Sequence, residues 1–298
     1  STIMNFSTSD EILMNKENKM NKTRKTKASP QSGIKVSKEL LISWYKTLKL
    51  GRALDNRAPN YLKQAIGWSY HAPCAGHDAI QLAIGHVFSH KNGDHLFPYY
   101  RDLITCLSAG LSAEEIILNG ISRATDPASG GRHMSNHFAK PEWNIHNVSS
   151  CTGNHILHAT GIARALKTYK RPGVAISSQG ESSVSEGYCY EAINGADREK
   201  LPVIFVIQDN GYGISVPKCD QTANEKVADN FKGFKNLSII HCDGKDVLDS
   251  FKAMTRAKEL CSKGKGPVIV HADCVRIGAH SNSDKHELYR DEKELAEV

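Results

Sequence analysis

Apolar residues recur at three- and four-residue intervals from Ser37 onward, at Leu40, Leu41, Trp44, Tyr45, Leu48 and Leu54, the spacing of one helix face over several turns. A second apolar helix begins after Gly76 with Ile80, Leu82, Ala83, Val87 and Phe88. Between Arg101 and Gly120 the pattern predicts two short helices broken at Gly110. Ser112 and Glu115, three apart, form a capping box for the second of them. From Ala124 to Ser150 periodicity is lost, and Pro127, Gly130, Gly131 and Pro141 punctuate a long irregular stretch. Inside a compact domain such a stretch is usually functional or disordered.

The second half alternates between two patterns. A helix over Ile156–Tyr169 leads to the short buried-strand run Val174-Ala175-Ile176-Ser177, and a helix from about Glu186 to Arg198 leads to Val203-Ile204-Phe205-Val206-Ile207. A strand at Ser238-Ile239-Ile240 follows. Then come a helix carrying Val247, Phe251, Met254, Ala257 and Cys261, and a last strand at Val268-Ile269-Val270. Apolar strands separated by amphipathic helices predict an α/β fold, a doubly wound, mainly parallel sheet flanked by helices. Ligands of such sheets sit beyond the carboxyl ends of the strands, which directs attention to the segments after Ser177, Ile207 and Val270.

Charge changes this picture little. The chain of 298 residues carries a formal net charge of +6, but residues 1–38 hold eight Lys/Arg against three acids, so the remainder is close to neutral. A nucleic-acid surface is therefore not expected. Residues 1–36, rich in Asn, Lys, Ser and Thr, read as a disordered basic tail, and 37–298 as one domain. The eight cysteines are scattered without a CxxC pair or zinc-like spacing, as in a reduced, intracellular protein. No apolar run reaches the roughly 18–20 residues of a membrane helix, and no secretory signal opens the chain. A cytoplasmic location is expected, with the mitochondrial matrix as the eukaryotic alternative, although Arg24 is the only arginine before Arg52.

Two strand ends carry the candidate chemistry. The first continues as Ser178-Gln179-Gly180-Glu181-Ser182-Ser183 and the second as Gln208-Asp209-Asn210-Gly211-Tyr212-Gly213. Each offers a glycine for close backbone approach and an oxygen ligand for a hard cation, Glu181 and Asn210. Magnesium is commonly held by one or two such groups together with phosphate oxygens. Either fragment alone would read as a turn.

Together they are more specific: 26 residues (Ser183 to Gln208) separate Gly180-Glu181-Ser182 from Asp209-Asn210, and this arrangement resembles the thiamine diphosphate-binding motif. Gly180 to Gly187 and Asn210 to Ser215 further resemble the α subunit of the 2-oxo acid dehydrogenases, especially the branched-chain 2-oxoisovalerate type. Tyr99-Tyr100-Arg101-Asp102 is similar to the family's Tyr-Arg-Glu element, and Arg276-Ile277-Gly278-Ala279-His280-Ser281 to its Arg-Ile-Gly-His-His-Ser loop. The likeness spans roughly Leu40 to Arg290 and implies the thiamine diphosphate-binding fold.

The resemblance also implies roles. Glu181 and Asn210 would ligate magnesium by their side chains and Tyr212 by its carbonyl. Gly180 and Ser182 would approach the diphosphate by backbone, and Tyr100 and Arg101 would hold it, joined by Arg276 or His280. Ser150 and Thr152 match the segment that contacts the aminopyrimidine, while Tyr99, Ser183 and Ile214 complete the cofactor surface. His280 would help handle the reacting intermediate. His137 matches a histidine of the loop that closes the site, a better reading than zinc binding with His133, because no HExxH glutamate accompanies the pair. His155 and His158 read as packed helix residues, and Ser281, phosphorylated in relatives, as a plain loop serine. Gly76-His77-Asp78-Ala79 falls at a Gly-Gln-Glu-Ala-like turn. Departures are Ser182 for a third glycine, Asp209 for the first Asn, Ala279 for one of two histidines, and Thr152 for a bulky residue typical of branched-chain enzymes.

The implied activity is oxidative decarboxylation of a branched-chain 2-oxo acid and acyl transfer to the lipoyl domain of an acyltransferase. A β-type subunit, or a fused β half, would complete the site in an α2β2 or fused homodimeric assembly. The sequence ends at Val298 within a charged helical stretch, the expectation for a truncated α chain or the leading part of an α–β fusion. Pyruvate or acetoin dehydrogenase is the nearest alternative, and a catalytically silent assembly subunit an alternative of another class. A Rossmann oxidoreductase would need an early GxGxxG, which the sequence lacks.

Overall fold

A computed structural model describes residues 36–297. The disordered tail expected at 1–36 falls almost wholly outside the described residues.

The first helix, α1 (Lys38–Lys63), starts where Ser37 accepts the Leu40 N–H at 3.2 Å, satisfying one orphan donor of the first turn. Its period is the predicted one, yet its face is only partly covered among the described residues. Trp44 and Leu54 are buried, whereas Leu41 and Tyr45 stand exposed. The helices α2 (Asp78–Val87), α3 (Leu103–Ser108) and α4 (Ala113–Gly120) follow. The Ser112–Glu115 capping box forms in both directions. Between α2 and α3 lies a strand the pattern does not reveal, β1 (His95–Phe97), three residues long and begun by a histidine.

The stretch 124–150 is irregular, as expected, but packed. Asp126 is buried and accepts the backbone N–H groups of Ala128 and Ser129, while Phe138 and Ala139 are buried. Then come α5 (His155–Thr168), β2 (Ala175–Gly180), α6 (Gly187–Glu199) and β3 (Val203–Asp209). A two-residue hairpin, β4 (Tyr212–Gly213) and β5 (Val216–Pro217), precedes β6 (Ser238–Asp243), α7 (Val247–Ser262), β7 (Val268–Asp273) and α8 (Glu292–Glu297).

The main sheet is wholly parallel, in the order β1-β2-β3-β7-β6. Progression runs one way from β2 to β3 and the other way from β6 to β7. Right-handed crossovers therefore place α6 and α7 on opposite faces, the doubly wound arrangement expected. On one face α5 and α6 bury Ile156, Ala163, Ala192 and Ile193 against Phe205 and Ile207. On the other, α7 packs on β3, β6 and β7, and α2 packs between α3 and α7. All seven residues of β3 are buried, which explains its unbroken apolar run. The register sets Gly180 opposite Gln208 and Asp209 opposite Asp273, so the segments leaving β2, β3 and β7 emerge side by side.

Candidate active site

A cavity of about 530 Å³ opens at these strand ends. Of the residues singled out from the sequence, Tyr99, Tyr100, Arg101, His137, Ser150, Thr152, Gly180, Glu181, Ser182, Ser183, Asn210, Tyr212, Ile214 and His280 line it. Arg276 does not. It stands behind the wall, donating Nη1 to the Ile214 carbonyl at 3.0 Å. That bond holds a strained residue, because Ile214 has φ +55° and a β-branched side chain disfavours the left-handed region.

Glu181 begins the turn after β2 and is only 2% exposed. Its Oε2 accepts the Asn210 N–H at 3.2 Å and its Oε1 the Ser182 hydroxyl at 3.3 Å. No cation reaches it among the described residues. Burial, then the negative Asp209 nearby, pushes its pKa up to about 7. Asp209 itself is matched, with His271 Nε2 at 3.0 Å and Lys218 Nζ at 2.7 Å on its Oδ2. Asp209, His271 and Asp273 are close enough to share a metal, but Lys218 and Lys226 already supply the positive charge there.

The same cavity holds positive charge without a carboxylate partner among the described residues. Arg101, 1% exposed, spends its donors on carbonyls, Nη1 on Pro73 at 2.7 Å and Nη2 on His280 at 3.2 Å, and its Nε has no partner. Arg276 is equally buried, and neither guanidinium pairs with a carboxylate among the described residues. One cavity thus presents a buried carboxylate lacking a cation and a buried guanidinium lacking an anion. A divalent cation carrying a diphosphate satisfies both, so the residues present fit that group.

Both histidines facing the cavity are neutral near pH 7. Burial, then Arg101 and Arg276, pushes His280 down to about 4. Arg101 Nη2 lies 3.4 Å from His280 Nδ1, and a guanidinium can only donate, so the ring proton is on Nε2. His137, lowered chiefly by burial, has the opposite tautomer. Its Nδ1 faces the Ser135 carbonyl at 3.2 Å and its Nε2 the Ser150 hydroxyl at 3.1 Å.

Close packing sets the cradle. At Gly76, φ is +92° and a Cβ would fall 1.9 Å from the Val275 carbonyl oxygen, so only glycine brings 76–78 against the β7 loop. At Gly213 a Cβ would meet Ser182 Oγ at 2.4 Å, which keeps the two strand-end turns in contact. Sequence reasoning missed Tyr70, Met134, Val216 and Gln221, which also line the cavity. Tyr70 carries no motif; it arrives because Ser135 brackets its N–H and carbonyl at 3.1 and 2.7 Å. Of the two helix histidines expected to be packed, His155 is, its Nε2 2.8 Å from the Ser178 carbonyl, whereas His158 is exposed on the same helix.

Comparison with known proteins sets this geometry in context. A family model described as the dehydrogenase E1 component matches residues 45–298. The chain is 33% identical over 257 residues to the 2-oxoisovalerate dehydrogenase subunit alpha of Bacillus subtilis, covering 86% of this chain and 77% of that one. It is also 33% identical over 262 residues to the pyruvate dehydrogenase E1 component subunit alpha of Staphylococcus aureus, covering 87% and 66%. The mitochondrial 2-oxoisovalerate dehydrogenase subunit alpha 2 of Arabidopsis thaliana is 28% identical, with 88% and 54% covered. The chain thus spans between about half and three quarters of the length of these relatives. Among solved structures, transketolase from Campylobacter jejuni superposes with a TM-score of 0.59 at 18% identity over 76% of this chain and 37% of that one, a likeness of fold alone.

Proposed function

Because the chain belongs to the dehydrogenase E1 component family, we propose that it is the part of a 2-oxo acid dehydrogenase that binds magnesium and thiamine diphosphate. The observation that carries this reading is the pairing, in one cavity, of buried Glu181 without a cation and buried Arg101 without an anion among the described residues. In it, Glu181, Asn210 and the Tyr212 carbonyl hold the magnesium. Arg101 and Tyr100 hold the diphosphate, with Gly180 and Ser182 approaching by backbone. Arg276 acts through the Ile214 carbonyl.

Bound there, thiamine diphosphate supplies the nucleophilic carbon and the electron sink for loss of carbon dioxide from a 2-oxo acid. The chain's own groups bind and orient. Neutral His280 presents an Nε2–H donor to the cavity, suited to an oxygen that gains negative charge during reaction. His137 accepts the Ser150 hydroxyl proton in a hydrogen bond and so orients that side chain beside Thr152. Half of the chemistry belongs elsewhere: a β-type chain or fused β half completes the site, and the acyl group passes to a lipoyl domain.

A branched-chain 2-oxo acid is the substrate favoured by the resemblance and by the 2-oxoisovalerate relatives, although the pyruvate relative is equally identical. Thr152, smaller than the residue typical of branched-chain enzymes, lines the cavity and bears on this choice. A silent assembly subunit is disfavoured by the complete set of Glu181, Asn210 and Arg101. The test is carbon dioxide release from 2-oxoisovalerate and from pyruvate by the chain assembled with its β partner. Faster release from 2-oxoisovalerate is expected, faster release from pyruvate would reassign the substrate, and release from neither would overturn the function.

A further inference from the structure

The Asn210 side chain is oriented from behind the cavity by a chain of buried hydrogen bonds whose directions are all determined. It begins on the backbone. Gln81, fully buried on α2, accepts the Ile104 N–H at Oε1 (3.3 Å) and donates from Nε2 to the Arg101 carbonyl (3.0 Å). An amide N–H only donates and a carbonyl only accepts, so Gln81 has a single orientation. The same Nε2 donates to Gln208 Oε1 at 3.1 Å. Gln208, also fully buried, in turn donates from Nε2 to Asp102 Oδ1 and to Ser178 Oγ, each at 2.8 Å.

His77 is the next link. Its Nδ1 lies 2.8 Å from Gln208 Oε1, an oxygen without a hydrogen, so the imidazole proton sits on Nδ1. Its Nε2 is left as an acceptor 3.3 Å from Asn210 Nδ2. Asn210 must answer with an N–H, which turns Oδ1 the other way. There Oδ1 accepts the Tyr212 N–H at 3.2 Å and keeps a second lone pair.

We propose that His77 is a positioning residue for the metal, the last link of a buried chain anchored at Ile104 and Arg101 that keeps the oxygen of Asn210, not its NH2, available to the cation. The inference rests on the reading of Asn210 as a magnesium ligand. Without an acceptor at 77, only the Tyr212 N–H still distinguishes the two ends of the amide, and the flipped form, which presents N–H groups to a cation, gains population. Because the anchor includes the Arg101 peptide, the metal side and the diphosphate side of the cavity share one frame. Partners of this kind, one step removed from a metal, typically change affinity by roughly 10–100-fold when lost.

The test is the apparent Mg²⁺ dissociation constant at a fixed thiamine diphosphate concentration, measured by calorimetry on the full chain with its β partner. His77→Phe should weaken Mg²⁺ by on the order of tenfold, and His77→Gln, which keeps a donor and an acceptor, by less than about threefold. Gln81→Leu, farther from the cavity, should lie between them, which keeps the test open if His77→Phe does not fold. The decisive readout is a double-mutant cycle: in an Asn210→Ala background His77→Phe should add nothing. An unchanged Mg²⁺ constant in His77→Phe, or an equal loss with and without Asn210, would overturn the proposal. Should Asn210→Ala itself leave Mg²⁺ affinity unchanged, the ligand reading falls and the proposal with it, a result distinguishable because it appears before His77 is touched.

Discussion

Two buried carboxylates at opposite ends of the parallel sheet, Asp94 and Glu181, are treated in opposite ways. At the amino ends, Asp94, 1% exposed, accepts the Val174 N–H at 3.0 Å on Oδ1 and the Ser89 N–H at 2.9 Å on Oδ2, and pairs with Lys258 Nζ at 2.6 Å. At the carboxyl ends, Glu181 is just as buried but has backbone N–H and hydroxyl donors and no cation among the described residues, with another carboxylate as its neighbour. A charge answered within the chain joins β1 and β2 to α7 and belongs to the scaffold. A charge left unanswered among the described residues, in the same cavity as an equally unanswered Arg101, is one that a charged ligand would answer.

The contrast can be broken at either end. The largest effect is expected from Asp94→Ala, which strands Lys258 and two backbone donors. Chemical denaturation should show a loss of about 3–5 kcal/mol, the range for breaking a buried pair, while the folded fraction keeps its thiamine diphosphate affinity. Retained stability would mean that the amino-end pair is not structural.

Next in size is a pH effect from Glu181. Its folded pKa of about 7 lies above the ordinary 4.5, so the folded chain holds a proton that the unfolded chain has released. This contribution is fully present below pH 4.5 and is lost as pH rises through about 7, a change of about 3 kcal/mol for the metal-free chain. Between pH 4.5 and 8, wild type should therefore lose stability relative to Glu181→Gln, and magnesium with thiamine diphosphate should erase the difference. Parallel pH profiles would contradict the unanswered charge. The smallest effect belongs to a feature remote from both ends. Ser112→Ala, removing the capping box of α4, should lower stability by about 1 kcal/mol with no change in cofactor affinity.

What the sequence discloses follows the same division. The central strands are legible because both faces are covered, leaving continuous apolar runs such as Val203–Ile207. The strand-end residues Glu181 and Asn210 are legible because the spacing between them is fixed by one strand–helix–strand unit. β1 is not, since three residues carry no periodicity and its place depends on pairing with Ala175–Ser177 far along the chain. Tyr70 is held at the cavity by Ser135, 65 residues away, and the chain from Gln81 to His77 runs through Gln208, more than 120 residues on. Such contacts leave no local pattern. The long stretch 124–150 shows the converse: its irregularity is readable, while its packing around Asp126 and Phe138 is not.

The central proposal is that the strand-end cavity holds thiamine diphosphate through a metal on Glu181. It is tested most directly by calorimetric titration of thiamine diphosphate, with and without Mg²⁺, into wild type and Glu181→Ala assembled with the β partner. The account predicts Mg²⁺-dependent binding by wild type, a loss on the order of 100-fold in the variant, and a thermal midpoint for the metal-free variant no lower than that of wild type. Equal affinity of both proteins in the presence of Mg²⁺ would contradict it.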